Sequence, residues 1–242
     1  MDRISLLPND FLLHILSLLP TKDVPATSLL SKRWLNLWKL VSKLNYIERD
    51  DNADHVGFVR FVDRSLLLNT ALVLESLHFN LDQQCNDVDV GFWIITAVKR
   101  GLRELSFEYC YTIEEPIRLP QSLYTCGTLV VLKLQNVSLV DVQFPIHNNV
   151  CGYRTLHWEE PSTVPETLML VLETFEWRNY RGRNVERELA SFVLKHARRL
   201  KVATFSPLAS TQLDTTLGEK YRMITDLARL PRGSTECELV FG

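Results

Sequence analysis

A six-residue frame recurs along this chain and limits what it can fold into. Leu74-x-x-Leu77-x-Phe79 returns as Leu102-x-x-Leu105-x-Phe107 and as Leu129-x-x-Leu132-x-Leu134, at offsets of 28 and 27 residues. In each copy the last two apolar positions alternate, as side chains do along a strand with one buried face. Helical stretches lie before the first copy, Phe58 to Leu68, and between the first and second, Gly91 to Lys99. A strand and a helix repeated at this spacing form one unit that cannot bury its own apolar face, so successive units must stack into a solenoid.

The second copy continues to Cys110, three residues after Phe107, in the strand-and-corner pattern of leucine-rich repeats. Weaker copies follow as Tyr153-x-x-Leu156-x-Trp158, Leu172-x-x-Phe175-x-Trp177 and Leu200-x-x-Ala203-x-Phe205, at offsets of 24, 19 and 28 residues. Cys237, Leu239 and Phe241 alternate as a final strand, and helices at Val185–Arg199 and Glu219–Leu230 occupy the last gaps. The first of these helices sets Leu189, Phe192, Val193 and Ala197 on one stripe with charges opposite. Composition agrees with a packed repeat: 41 of 242 residues are leucine and only 9 are glycine, which excludes collagenous and linker-like chains. A hydrophobic share of 46% with 23% charged residues excludes global disorder.

Several function classes fall away. The best apolar run, Phe11 to Leu19, is nine residues long and closed by Asp10 and Pro20, too short to span a bilayer. Acidic residues flank it and no small-residue cleavage site follows, so the expectation is an intracellular, unprocessed chain of the cytoplasm or nucleus. Five cysteines without a C-x-x-C pair read as reduced thiols, not as a disulfide framework or zinc knuckle. A net charge of −2 lacks the basic excess that phosphate-backbone binding needs, and the Arg181–Arg183 and Arg198–Lys201 clusters are balanced by Glu173, Glu176, Glu186 and Glu188. The six histidines show no metal-ligand spacing, and no phosphate-binding or nucleophile-elbow motif occurs. Glu114-Glu115 and Glu159-Glu160 read as solvated loop carboxylates, Cys110 as a corner filling core, and Trp158 and Trp177 as inner-face packing. No catalytic residue, cofactor or metal site is assigned.

The first fifty residues read as three helices. One runs from Pro8 to Leu19, with Asn9 and Asp10 in its first turn, and is stopped by Pro20. Another starts at Thr21 as N-cap and continues toward Leu30; the third starts at Ser31 and carries Trp34, Leu37, Trp38 and Val41 on one stripe. At 100° per residue the first helix has an apolar arc of roughly 220°, whereas a helix resting on one neighbour needs about 100°. Either a second protein packs on the surplus or the rest of the chain covers it, and the pattern leaves both open.

The run Leu6-Leu7-Pro8-Asn9-Asp10-Phe11-Leu12-Leu13-His14-Ile15-Leu16-Ser17-Leu18-Leu19-Pro20-Thr21-Lys22-Asp23-Val24 resembles the plant F-box. So does its continuation, Thr27-Ser28-Leu29-Leu30-Ser31-Lys32-Arg33-Trp34 with Leu37-Trp38. The resemblance implies docking on the Skp adaptor of a cullin–RING (SCF) ubiquitin ligase. It assigns adaptor contacts to Leu7, Pro8, Phe11, Leu12, Ile15, Leu16, Leu18, Pro20, Val24 and Trp34, without separating true contacts from core positions. Pro25 departs from the family pattern; with Thr21 as N-cap it would forfeit the first helical hydrogen bond and weaken adaptor binding.

The C-terminal third resembles the FBD domain of plant F-box proteins, on Trp158, Pro161-Ser162-Thr163-Val164-Pro165-Glu166 and Leu172-Glu173-Thr174-Phe175-Glu176-Trp177-Arg178-Asn179-Tyr180-Arg181-Gly182. It continues through Glu188-Leu189-Ala190, Ala197-Arg198-Arg199-Leu200-Lys201 and Leu230-Pro231-Arg232-Gly233-Ser234 to Cys237. The chain is thus identified as an α/β repeat member of the plant F-box/LRR/FBD family: a three-helix F-box over residues 1–50, leucine-rich repeats over 51–150 and an FBD over 151–242. Only Val137 to Gly152 stands where relatives carry further repeats, so two non-native neighbours are expected to meet there, stacked imperfectly or hinged. The implied function is target recognition for an SCF ligase, with an unknown protein target and no nucleic acid or membrane partner. The alternative is a non-ligase repeat scaffold, or a shortened F-box protein that binds the adaptor without presenting a target.

Overall fold

The structure, a computed structural model, describes residues 4–48, 55–81, 85–109, 119–123, 126–136, 164, 170–207 and 217–242. Its frame is a parallel sheet whose described strands follow the chain in order: β1 (Lys43–Ile47), β2 (Ser76–Leu81), β3 (Glu104–Tyr109), β4 (Val131–Gln135), β5 (Thr174–Tyr180), β6 (Val202–Pro207) and β7 (Glu238–Phe241). Helix α1 (Asn9–Ser17) precedes the sheet. Helices α2 (His55–Leu68), α3 (Asp87–Val98), α4 (Asn184–His196) and α5 (Leu217–Ala228) connect successive strands. Among the described residues, no helix is long and apolar enough to cross a membrane.

The periodic frame sets the register. Leu77, Leu105, Leu132, Phe175 and Ala203 align across the sheet, as do Phe79, Phe107, Leu134, Trp177 and Phe205. Both rows are buried, and the leading frame positions Leu74, Leu102, Leu129, Leu172 and Leu200 are buried with them. They pack against Val62 and Leu66 of α2, Val90, Trp93 and Ile94 of α3, and Leu189, Val193 and Leu194 of α4 in one continuous core. Burying each leucine, isoleucine, valine or phenylalanine among them contributes about 1.5–3 kcal/mol. Tyr46 and Trp93 both stack on Phe79 at 5.4 Å between ring centroids, and the Trp93 indole donates to Asp63 Oδ1 at 2.8 Å, fixing α3 on α2. Asn86 caps α3 by accepting from the Val88 and Asp89 amides, with Asp87 and Asp89 suiting the helix dipole.

Trp177 lies in the core as expected. Residues 153–158 and 110, and the acidic pairs at 114–115 and 159–160, lie outside the described residues. β4 bonds directly to β5, Leu132 opposite Phe175 and Leu134 opposite Trp177, so the sheet passes from the third frame copy to the Leu172 copy with no strand between. Val137 to Gly152, where an imperfect stack or a hinge is expected, lies outside the described residues. Between β4 and β5 the register runs without a bulge, because parallel pairing engages backbone groups that are the same in every unit. The irregularity is instead between Arg178 and Tyr180 in β5, where Asn179 adopts a φ of 58°.

The N-terminal unit differs from expectation in its second and third helices. These are 3-10 segments, Val24–Leu29 and Leu37–Leu40. Pro25 is the second residue of the first segment, where no intrahelical acceptor requires its missing N–H, so the forfeited bond foreseen from a Thr21 cap does not arise. Thr21 has another task. Its N–H donates to the Asn45 carbonyl at 3.0 Å and its Oγ1 accepts from the Asn45 N–H at 2.7 Å, pairing with β1 at the edge of the sheet. β1 lies within the first fifty residues yet belongs to the sheet. Asn69 strengthens the seam: its Nδ2 donates to the Val41 carbonyl at 2.8 Å, and its Oδ1 accepts from the Ala71 N–H and the Arg100 guanidinium.

Candidate functional site

Helix α1 begins after Pro8, whose φ of −54° suits a helix start, and Asp10 sits in the first turn near the positive end of the dipole. Arg33 reaches back across the unit, its Nε and Nη2 donating to Asn9 Oδ1 at 3.2 and 2.7 Å. Leu12 and Leu16 are fully buried against Val24, Trp34, Leu37 and Val41, with Leu13, Leu19 and Trp38 at the margin. This small core is distinct from the core under the sheet.

The wide apolar arc of α1 therefore divides. Its buried side is centred on Leu12 and Leu16. On the other side Phe11 is 61% exposed, Leu18 72% and Ile15 38%. These three lie within roughly 60° of one another at 100° per residue, forming one stripe. Leu7 is exposed at 36% ahead of the helix, Pro8 is also exposed, and Ile4 and Leu6 are open to solvent. Among the described residues, nothing in the chain covers this stripe.

Of the ten residues assigned to an adaptor contact, Leu7, Pro8, Phe11, Ile15 and Leu18 are therefore on the surface and Pro20 is half-buried. Leu12, Leu16, Val24 and Trp34 fill the core. Sequence reasoning did not find this division. The missing signal is the phase of the helix, which is set by how Trp34 and Leu37 meet it.

The outer face of the sheet is polar and ordered. Lys133 pairs with Glu104 at 3.2 Å, and Arg178 reaches Glu176 at 2.6 Å and Glu108 at 3.7 Å. Asn80 donates to Glu108 Oε2 at 3.2 Å. Burial holds the His78 imidazole below its ordinary value, although Glu108 pulls the other way. In the Arg198–Lys201 cluster, Glu173 meets Lys201 at 2.7 Å and Arg199 at 3.5 Å. The Lys201 hydrogen bond holds the Glu173 carboxyl below its usual value. Glu186 accepts from the Arg181 and Arg183 amides, yet burial pushes its carboxyl up. Cys85, Cys126 and Cys237 are buried thiols.

Comparisons with known proteins agree with this anatomy. The F-box domain family model matches residues 4–46, and the FBD family model matches residues 159–205. An FBD-associated F-box protein of Arabidopsis thaliana is 41% identical over an alignment covering all of both chains. That alignment spans 421 positions, 179 more than the 242 residues of this chain, in keeping with a shortened body. An F-box/FBD/LRR-repeat protein of the same plant is 30% identical over 99% of both chains. A putative FBD-associated F-box protein, also from Arabidopsis thaliana, is 51% identical over 148 residues, 60% of this chain and 36% of its own length. With α1 and its partners inside the F-box match, and β5 and β6 beginning inside the FBD match, the chain belongs to the plant family of F-box proteins that carry an FBD domain.

Proposed function

We propose that this chain is a substrate-recognition subunit of an SCF-type E3 ubiquitin ligase. The observation that carries this reading is the uncovered stripe of Phe11, Ile15 and Leu18 on the first helix of a matched F-box. Leu7 and Pro8 extend the stripe at its start, and together these residues form the contact for a Skp-type adaptor. The body then acts as a leucine-rich-repeat solenoid with its FBD, divided at residues 51–150 and 151–242, and holds a target protein on its polar outer face. The subunit performs no bond chemistry. It raises the effective concentration of a target lysine near the ubiquitin thioester, making transfer quasi-intramolecular. Such a role places it in the cytoplasm or nucleus.

The test is co-purification with a Skp-type adaptor, comparing the intact chain with the Leu7→Ala/Pro8→Ala double variant. Wild type should retain the adaptor and the variant should lose most of it. A wild type that retains none refutes the proposal. A second reading is favoured by the 179-position difference from the full-length relative: a shortened subunit that binds the adaptor but presents no target. Affinity mass spectrometry with the proteasome blocked separates the two, because only a true receptor enriches ubiquitinated partners.

A further inference from the structure

Three side chains that are far apart in sequence converge at the carboxyl ends of β1 and β2. Glu48 follows β1, His55 opens α2, and Cys85 precedes the Asn86 cap of α3. His55 Nδ1 lies 2.7 Å from Glu48 Oε1, and Cys85 Sγ lies 3.3 Å from Glu48 Oε2. One donor atom from each residue falls within 4.8 Å of the other two. The Glu48 and His55 side chains are only 8% and 18% exposed, and Cys85 is buried.

Their backbones are anchored independently. The Glu48 N–H donates to the Asn80 carbonyl at 2.9 Å, continuing the β1–β2 ladder, and the Cys85 carbonyl accepts from the Tyr109 hydroxyl at 3.5 Å. Cys85 is further fixed by its position one residue before a capped helix. Donors held on such supports are preorganised for a ligand.

We propose that Glu48, His55 and Cys85 bind a zinc-class divalent cation. The donor set decides the class: a thiolate and an imidazole with one carboxylate suit zinc, whereas magnesium and calcium require oxygen ligands. At zinc bond lengths of about 2.0–2.3 Å and tetrahedral angles, neighbouring donors stand roughly 3.3–3.7 Å apart. The Glu48–Cys85 separation already lies in that range. No pair of donors need close by more than about an ångström. The thiol proton of Cys85 leaves to solvent on binding, and the ring nitrogen facing the ion must be unprotonated, so affinity rises with pH. Water completes the coordination. The ion clamps the end of β1, the start of α2 and the approach to α3.

The test uses the full chain, reduced and stripped with a chelator, then titrated with cobalt(II) and zinc(II). Cobalt should bind at one equivalent and give a thiolate charge-transfer band that one equivalent of zinc removes. Cys85→Ser should abolish the band, while Cys126→Ser and Cys237→Ser retain it. Loss of a ligand in His55→Gln, with an unchanged circular dichroism spectrum, should weaken zinc binding by about tenfold or more. His55→Gln keeps the thiol and carries the test even if Cys85→Ser fails to fold. Absence of saturable uptake, a band that survives Cys85→Ser, or wild-type zinc affinity in His55→Gln would each overturn the site.

Discussion

Phe11 and Leu12 are adjacent, both apolar and both in the first turns of α1, yet opposite outcomes are expected when each is cut to alanine. Phe11 is 61% exposed, so of a phenylalanine surface of about 200 Å² roughly 120 Å² is open for a partner to cover. At about 25 cal/mol per Å², covering it contributes up to about 3 kcal/mol, so Phe11→Ala should weaken adaptor binding by roughly 100-fold. Only the remaining 80 Å² or so bears on folding, which caps the stability loss near 2 kcal/mol, and the better helix propensity of alanine offsets about 0.5 kcal/mol of it. Leu12 is fully buried against Trp34 and Val24. Leu12→Ala should cost about 2–5 kcal/mol of stability, including the cavity it leaves. The assays are isothermal titration with a purified Skp-type adaptor and urea unfolding followed by tryptophan fluorescence, to which Trp34 and Trp38 of this core contribute beside Trp93 and Trp177 of the sheet core. If Phe11→Ala binds like wild type, or shifts the urea midpoint as far as Leu12→Ala does, the division of the helix into docking and packing faces is wrong.

Other substitutions probe the seam, the body and the outer face. Asn69→Ala strands the Val41 carbonyl and removes an acceptor from the partly buried Arg100 guanidinium; a loss of about 2–4 kcal/mol and faster proteolysis between the N-terminal unit and the sheet are expected. A Cβ on Gly233 would sit 2.3 Å from the Lys195 carbonyl oxygen, so Gly233→Ala should lower stability by about 1–3 kcal/mol in urea titration. His78 has a lowered folded pKa, so the unfolded chain takes up its proton more readily. Its contribution is present above the unfolded value of 6.5 and is lost as pH falls through the folded value. His78→Gln should therefore flatten the acid limb of a stability-against-pH curve, and an unchanged limb would refute the assignment.

The sheet was legible because the frame joins two independent periodicities, strand alternation and repeat spacing, and both must hold at once. β1 escaped for a physical reason. Val41-x-x-Leu44-x-Tyr46 is itself a frame copy, with Leu44 and Tyr46 in register with Leu77 and Phe79. But Val41 also completes a helical stripe with Trp34, Leu37 and Trp38, and its buried side chain serves the N-terminal core. The 3-10 form of the second and third segments was hidden because spacings of three fit both helix types. The α1 face was half legible: the width of its arc showed surplus, but orientation depended on contacts with residues 20–30 positions away. Glu48, His55 and Cys85 were not legible at all. They have no ligand spacing, and only the parallel pairing of β1 with β2 brings them together.

At the junction between β4 and β5 the backbone and the outward side chains follow different rules. The Val130 carbonyl accepts the N–H groups of both Glu173 and Thr174, just as the Glu75 carbonyl accepts those of Arg103 and Glu104 and the Glu173 carbonyl those of Lys201 and Val202. This ladder is blind to side chains, so units can be removed without leaving unpaired backbone at the join. The outward side chains are not interchangeable in this way. Asn80, Glu108, Gln135 and Arg178 lie in one row across β2, β3, β4 and β5, and Arg178 reaches over β4 to within 3.7 Å of Glu108. Each intervening strand would move Arg178 about 4.8 Å further from Glu108, beyond contact. The outward charge pattern of this row therefore exists only because β4 and β5 are neighbours.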